Sequence, residues 1–268
     1  CQNPEMQLVA PELMFIEEKC IQCGACIAAC PNKANSFCDG KVVTDWEKCT
    51  LHGDCVEACC TKARSIVGEY KFVQELLDLV LADEVFFISS GGGVTLSGGD
   101  PTVHQDFIRE VLKRLKELNI HTAIETSGYC ASDLFQALFP YTDLFLYDIK
   151  QTDNAKHKEY TGVSNKLILK NLKLLAQENK NVIIRIPLIP GYNDDEENMR
   201  KTALLASQAH ASEVHILPFH QIGAPKWKNT GKHYQLEDLK PSDEETINKC
   251  ADIIREYGHV VNIGGSGA

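Results

Sequence analysis

Nine of the chain's twelve cysteines lie between residues 20 and 60, and no other feature restricts the fold as strongly. Four of them spell Cys20-Ile-Gln-Cys23-Gly-Ala-Cys26-Ile-Ala-Ala-Cys30-Pro31, the C-x2-C-x2-C-x3-C-P run of bacterial iron–sulfur modules. Three thiolates at this spacing wrap one [4Fe–4S] cluster, and the fourth, just before Pro, serves a second. A disulfide framework is the competing reading, but C-x2-C spacing in a chain of 268 residues points to metal rather than to bridges.

A second run follows in altered form as Cys49-Thr-Leu-His52-Gly-Asp-Cys55-Val-Glu-Ala-Cys59-Cys60. His52 stands where a second Cys is expected, and Cys60 where Pro is expected. Interleaving assigns Cys20, Cys23, Cys26 and Cys59 to one cluster and Cys30, Cys49 and Cys55 to the other. Imidazole replaces thiolate in some clusters, so His52 can be the fourth ligand. Cys60 and Cys38 compete for that place, and a three-iron cluster or an empty site are further alternatives.

Composition narrows the function classes. The chain is 44% hydrophobic and 24% charged, as expected of a globular protein with one large core and a small inserted module. A net charge of −10 makes nucleic acid a poor partner. No apolar stretch reaches the roughly 20 residues that span a bilayer, and no secretory signal is expected. Abundant free thiols suit a reducing cytoplasm. The chain starts at Cys1 rather than Met, so residues are expected to be processed from, or missing before, that position.

Beyond residue 70 the pattern alternates between strand and helix. Strands are expected over 93–97, 121–126, 144–149, 182–188, 214–218 and 260–263. Helices are expected over 73–81, 104–118, 134–139, 167–177, 194–209 and 242–257, the last with Ser242 and Glu245 as a capping box. No internal repeat is evident. Near-continuous apolar strands between helices imply a parallel α/β sheet covered on both faces. That sheet is either doubly wound or a partial β/α barrel, and both place their chemistry at the C-terminal strand ends. Polar residues gather there: Gly98-Gly99-Asp100, Glu125-Thr126-Ser127-Gly128, Asp148, Lys150, Arg185 and His220.

The stretch Ser89–Pro101, SSGGGVTLSGGDP, resembles the SGGGVTxSGGEP segment of glycyl-radical-enzyme activating enzymes in the radical S-adenosylmethionine superfamily. Three further blocks agree in order. They are Tyr147-Asp148-Ile149-Lys150, Arg185-Ile-Pro-Leu-Ile-Pro-Gly191-Tyr-Asn193-Asp194, and Leu217-Pro218-Phe219-His220 running on to Lys226-Trp227. The resemblance implies a partial (β/α)6 TIM-like barrel over residues 69–268, its first strand missing, with a ferredoxin-like two-cluster insert over residues 11–68. Residues 1–10 would end the loop that holds the reactive cluster. In the family that cluster sits on C-x3-C-x2-C, continuing Cys-x-Asn-Pro-Glu. Cys1-Gln2-Asn3-Pro4-Glu5 matches the end of it, which makes Cys1 the third ligand, expects two more upstream, and leaves this fragment alone inactive.

The same resemblance implies that S-adenosylmethionine binds the open iron through its amino and carboxylate groups. Reductive cleavage gives a 5′-deoxyadenosyl radical, which takes hydrogen from a glycine of a partner glycyl radical enzyme. Asn3, Gly98, Gly99, Asp100, Thr126, Asp148, Lys150, Arg185 and His220 map to cofactor-binding positions, and Lys150 with Cys1 to catalytic ones. Asp100 stands where the family has Glu, a change expected to be tolerated. Glu125 and Thr126 match positions that hold a monovalent cation in some relatives. The insert clusters would relay electrons from flavodoxin or ferredoxin, staple the segment, or both. The enzyme is expected to act as a monomer.

Plainer readings stand beside these. Asp148 and Lys150 can be a structural ion pair. Arg185 needs a carboxylate, either the cofactor's or a barrel acid such as Asp148. His220 can be an ordinary loop histidine. Lys226, Trp227 and Tyr234 suit a partner groove or surface, and Cys130 and Cys250 buried helical positions. The competing functions are an electron carrier and a radical enzyme acting on a small metabolite.

Overall fold

The computed structural model describes residues 3–7 and 9–264. They form two compact units, one made of residues up to Tyr70 together with Gln221–Asp238, the other of Lys71–His220 and the chain from Leu239 on.

The small unit holds four short strands: β1 Glu12–Phe15, β2 Asn35–Cys38, β3 Lys41–Thr44 and β4 Arg64–Val67. β1 pairs with β4 and β2 with β3, both antiparallel. Asp39 and Gly40 both have positive φ, as an Asp-Gly hairpin turn demands. The unit also repeats itself. Left-handed φ recurs at Gln22 and Leu51, Gly24 and Gly53, Lys33 and Lys62, each pair 29 residues apart. Short helices, Ala25–Ala29 and Asp54–Glu57, follow the two left-handed glycines. This corrects the expectation of no internal repeat: the repeat lies in the backbone, where substitutions such as Pro31 for Cys60 do not hide it. Residues 221–238 are fastened to this unit by charge. Lys226 meets Glu5 at 2.6 Å, Lys228 meets Glu17 at 2.7 Å and Lys232 meets Glu12 at 2.7 Å. Lys228 and Lys41 beside Glu17 hold its carboxyl down to about 2.

The large unit is built on six parallel strands: β5 Gly93–Leu96, β6 His121–Thr126, β7 Leu144–Asp148, β8 Val182–Leu188, β9 Glu213–Pro218 and β10 Val261–Ile263. They lie in strict chain order, each hydrogen-bonded to the next. A doubly wound sheet would reverse its order at a switch point. This one does not, so the winding is that of a barrel wall. Val182, Ile184, Ile186 and Leu188 of β8 are fully buried, as are Phe145 and Tyr147 of β7. The helix Gln105–Glu117 covers the sheet with Ile108, Val111, Leu112 and Leu115, a stripe at helical period.

Two local expectations change. The last helix, Glu244–Arg255, is capped by Asp243, whose carboxylate accepts from Thr246 N at 2.8 Å, and not by Ser242, whose buried hydroxyl has no partner. Cys130 lies in the loop before the helix Ser132–Gln136, whereas Cys250 is helical as expected; burial pushes both thiols up to about 11. Asp243→Ala should therefore lower stability by about 1 kcal/mol and Ser242→Ala by less, as read from paired denaturant titrations.

Candidate functional site

In the large unit the functional side chains come from the C-terminal ends of adjacent strands. Parallel register sets Asp148 of β7 opposite Arg185 of β8, so both project to the same face. Arg185 Nη1 lies 2.7 Å from Glu125 Oε1 of β6, and its Nε 3.9 Å from Asp148 Oδ1. Lys150 Nζ reaches Asp148 Oδ2 at 3.0 Å, and Ser97, just after β5, donates to Glu125 Oε2 at 2.9 Å. Arg185 thus has its near partner in Glu125, a residue not assigned to it from sequence, and a longer contact to Asp148. Asp148 Oδ1 is buried with no hydrogen-bond donor, an acceptor of the kind a ligand hydroxyl or amine satisfies.

Asp100 and Thr126 are also brought together, but they act on each other. The Asp100 carboxylate accepts from Thr102 N and Oγ1, from Thr126 Oγ1, and from Ser127 N and Oγ, all within 3.1 Å. Its short side chain clamps the glycine loop to the end of β6. The two residues at the expected cation positions also have partners within the protein: Glu125 pairs with Arg185, and the Thr126 hydroxyl donates to Asp100. Gly98 has φ +113 with open space where a side chain would sit, so a ligand can approach its backbone. A Cβ on Gly128 would lie 1.8 Å from the Tyr147 hydroxyl, which is itself donated to Ile168 O at 2.6 Å. His220 lies exposed, two residues past β9.

Sequence reasoning quoted Asn193 without giving it a role. It is buried, donates to Lys150 O and Pro187 O, and accepts from Ile189 N, all within 2.8 Å. It fixes the backbone that carries Lys150 to the end of β8. Position 193, a turn-type residue just past a strand, was the available signal.

In the small unit the cysteines line two cages. One, with about 320 Å³ of empty space including open solvent, is lined by Cys20, Cys23, Cys26, Cys59 and Cys60, with Phe15 and Arg64. The other, about 380 Å³, is lined by Cys30, Cys49, His52 and Cys55. No three metal-binding side chains among the described residues converge as ligands of one ion do. Clusters are held at their corners, so their ligands surround a void instead, and the all-thiol and mixed donor sets here fit iron–sulfur clusters. Cys38 lines neither cage and hydrogen-bonds to Asp39; Cys60 lines only the first. The 29-residue repeat superposes His52 on Cys23. His52 Nδ1 lies 2.9 Å from Thr50 Oγ1, which Asn32 Nδ2 approaches at 2.5 Å. Burial pushes the Cys59 thiol up, but the Thr61 hydroxyl and the backbone N–H groups of Arg64, Ala63 and Thr61 leave it below the usual range.

Cys1 lies outside the described residues. Asn3 Oδ1 accepts from Lys226 Nζ at 2.7 Å, and Trp227 stacks on Tyr234 with ring centroids 5.2 Å apart. All four residues have partners within the small unit.

A family model of the radical SAM superfamily matches residues 52–203, and one of a 4Fe-4S binding domain matches residues 13–34. The chain is 42% identical over 268 residues to the trans-4-hydroxy-L-proline dehydratase activating enzyme of Clostridioides difficile, covering 99% of this chain and 89% of that protein. The chain belongs to the glycyl-radical-enzyme activating enzymes of the radical SAM superfamily. This activating enzyme is also 38% identical over 273 residues to the choline trimethylamine-lyase activating enzyme of Oleidesulfovibrio alaskensis, at 98% and 87% coverage. A solved domain of pyruvate-formate lyase-activating enzyme from Bacteroides vulgatus aligns at TM-score 0.55 and 31% identity, over 65% of this chain and 99% of that one. The activating enzyme therefore has the α/β fold that its sequence implied, and iron–sulfur clusters with S-adenosylmethionine are its cofactor classes. No helix of the described residues is long and apolar enough to cross a membrane.

Glu125→Gln removes the 2.7 Å partner of Arg185. For this partly exposed pair the loss should be about 1–3 kcal/mol of stability, below the ~3–5 kcal/mol of a fully buried one, and a denaturant midpoint measures it.

Proposed function

We propose that the mouth of the six-stranded sheet binds S-adenosylmethionine, and that Cys1 is the third thiolate of the enzyme's reactive cluster. One observation carries this reading. Acidic and basic groups from β6, β7 and β8 meet at one strand-end site, and the buried Asp148 Oδ1 there lacks a donor. Asp148 accepts a hydrogen bond from the cofactor's ribose or amino group. Lys150 is held by Asp148 and by the Asn193-anchored backbone, and its ammonium keeps further N–H donors for the cofactor's carboxylate. Arg185 fixes Asp148 and Glu125 across the strands. Gly98 and Gly99 offer backbone groups to the ligand, held by the Asp100 clamp, and Asn3 and His220 are further cofactor-binding residues on the family pattern. When bound, the cluster and cofactor supply reductive cleavage of the sulfonium and hydrogen abstraction from a glycine of the partner enzyme.

Residues 11–68 would form the two-cluster insert, with residues 69–268 as the barrel apart from the segment that packs with the small unit. Cys20, Cys23, Cys26 and Cys59 take one cluster, and Cys30, Cys49, Cys55 and His52 the other. His52 ligates through Nε2, because the Thr50 hydroxyl occupies Nδ1, a hydrogen bond that orients a ligating imidazole. A flavodoxin or ferredoxin supplies electrons. The enzyme acts as a monomer in the reducing cytoplasm, where thiols persist.

Two measurements test these assignments. In anaerobically reconstituted enzyme carrying the complete three-cysteine motif, Asp148→Ala should weaken S-adenosylmethionine binding about tenfold or more, the loss of a hydrogen bond near 1.5 kcal/mol; unchanged affinity contradicts the assignment. His52→Ala should lose one cluster's iron or leave a three-iron signal, whereas His52→Cys should keep it. Equal iron in wild type and His52→Ala contradicts ligation by His52.

A further inference from the structure

Arg64 is the most deeply buried charge in the small unit, 2% exposed. It opens β4, directly opposite Phe15 of β1, and its guanidinium lies over the Phe15 ring, 4.2 Å from the centroid. Stacking satisfies the face of the cation but not its N–H groups. Nη1 and Nη2 are both buried and have no hydrogen-bond partner, and no carboxylate pairs with Arg64 among the described residues. A buried, unpaired guanidinium is costly, and arginine cannot shed its proton to escape the cost. These N–H groups therefore call for an acceptor, and an anionic one offsets the charge as well.

Both Arg64 and Phe15 line the cage formed by Cys20, Cys23, Cys26 and Cys59. A cluster held by four thiolates has net negative charge that grows by one when it accepts an electron, so a fixed cation against it favours the reduced form. Hydrogen bonds to cluster sulfur act in the same direction.

We propose that Arg64 is a charge-compensating residue of the insert, donating N–H hydrogen bonds to the sulfurs of the first cluster and holding its reduction potential up. This rests on the reading that the cages hold clusters. Arg64 touches no substrate and does no bond chemistry. It positions the redox equilibrium of the electron relay.

The test is an EPR-monitored redox titration of the reconstituted holoenzyme and its Arg64→Met and Arg64→Lys variants, with iron counted in each. With full iron, Arg64→Met should show a reduced-to-oxidised ratio for the first insert cluster roughly tenfold lower at a fixed solution potential, about 59 mV for one electron. Arg64→Lys keeps the charge and should fall between wild type and Arg64→Met. A fully loaded Arg64→Met with unchanged potential overturns the proposal. If Arg64→Met fails to load, Arg64→Lys decides: recovery of iron supports charge compensation, and failure equal to that of Arg64→Met shows a packing role and overturns it. Wild-type protein that takes up no insert iron instead refutes the cluster reading beneath it.

Discussion

The site in the large unit depends on one constraint, the placing of a cation within an apolar parallel sheet. Arg185 sits in β8 between fully buried residues, Ile184 and Ile186, and can remain charged there only with a carboxylate at hand. Parallel register supplies two, Glu125 at 2.7 Å from the next strand but one and Asp148 directly alongside. Because Arg185 is satisfied by Glu125, Asp148 keeps one oxygen uncommitted and a second for Lys150. The charge pattern that stabilises the strand ends thus leaves a buried acceptor without a donor next to a partly exposed ammonium.

Around that centre, polar side chains hold the loops rather than the ligand. Asp100 uses both oxygens to join the glycine loop to Thr126 and Ser127, and Asn193 ties the end of β8 to Lys150. Asn171 donates to the carbonyls of Gly128 and Cys130. Each buried amide closes a loop whose backbone would otherwise be unsatisfied. The result is a rim of strand-end loops tied to one another by side-chain hydrogen bonds.

The small unit obeys the same electrostatics with the signs exchanged. Its cysteines line two confined cages, and Arg64, deeply buried beside one of them, has no carboxylate partner among the described residues. The donor sets of the two cages follow from the backbone repeat, which superposes Cys20 on Cys49, Cys26 on Cys55, Cys30 on Cys59 and His52 on Cys23.

Much of this was legible in the sequence. The strands His121–Thr126 and Val182–Leu188 and the helix Val73–Leu81 fall where apolar periodicity set them, because buried parallel strands leave no polar alternation to confuse. Cysteine spacing alone sorted most of these cysteines into the groups that line the two cages. What was hidden depends on tertiary neighbours. Asp243 and Ser242 are both good caps, and only the backbone angle of the turn selects Asp243. Glu84–Ser90, EVFFISS, forms a helix although its β-branched and aromatic residues gave no helical signal. Strand register made Glu125 the partner of Arg185. Arg64 had no motif at all, since a single arginine after Cys59 acquires meaning only once its burial is known.

Hydrogen abstraction from a partner's glycine is read by isotope transfer. A glycyl radical enzyme labelled with α-deuterated glycine is incubated anaerobically with the reduced, cluster-loaded enzyme and S-adenosylmethionine. The expected result is a glycyl EPR signal on the partner and one deuterium in the 5′-deoxyadenosine released. Cleavage of S-adenosylmethionine without deuterium in that product, and without a radical on the partner, would contradict it.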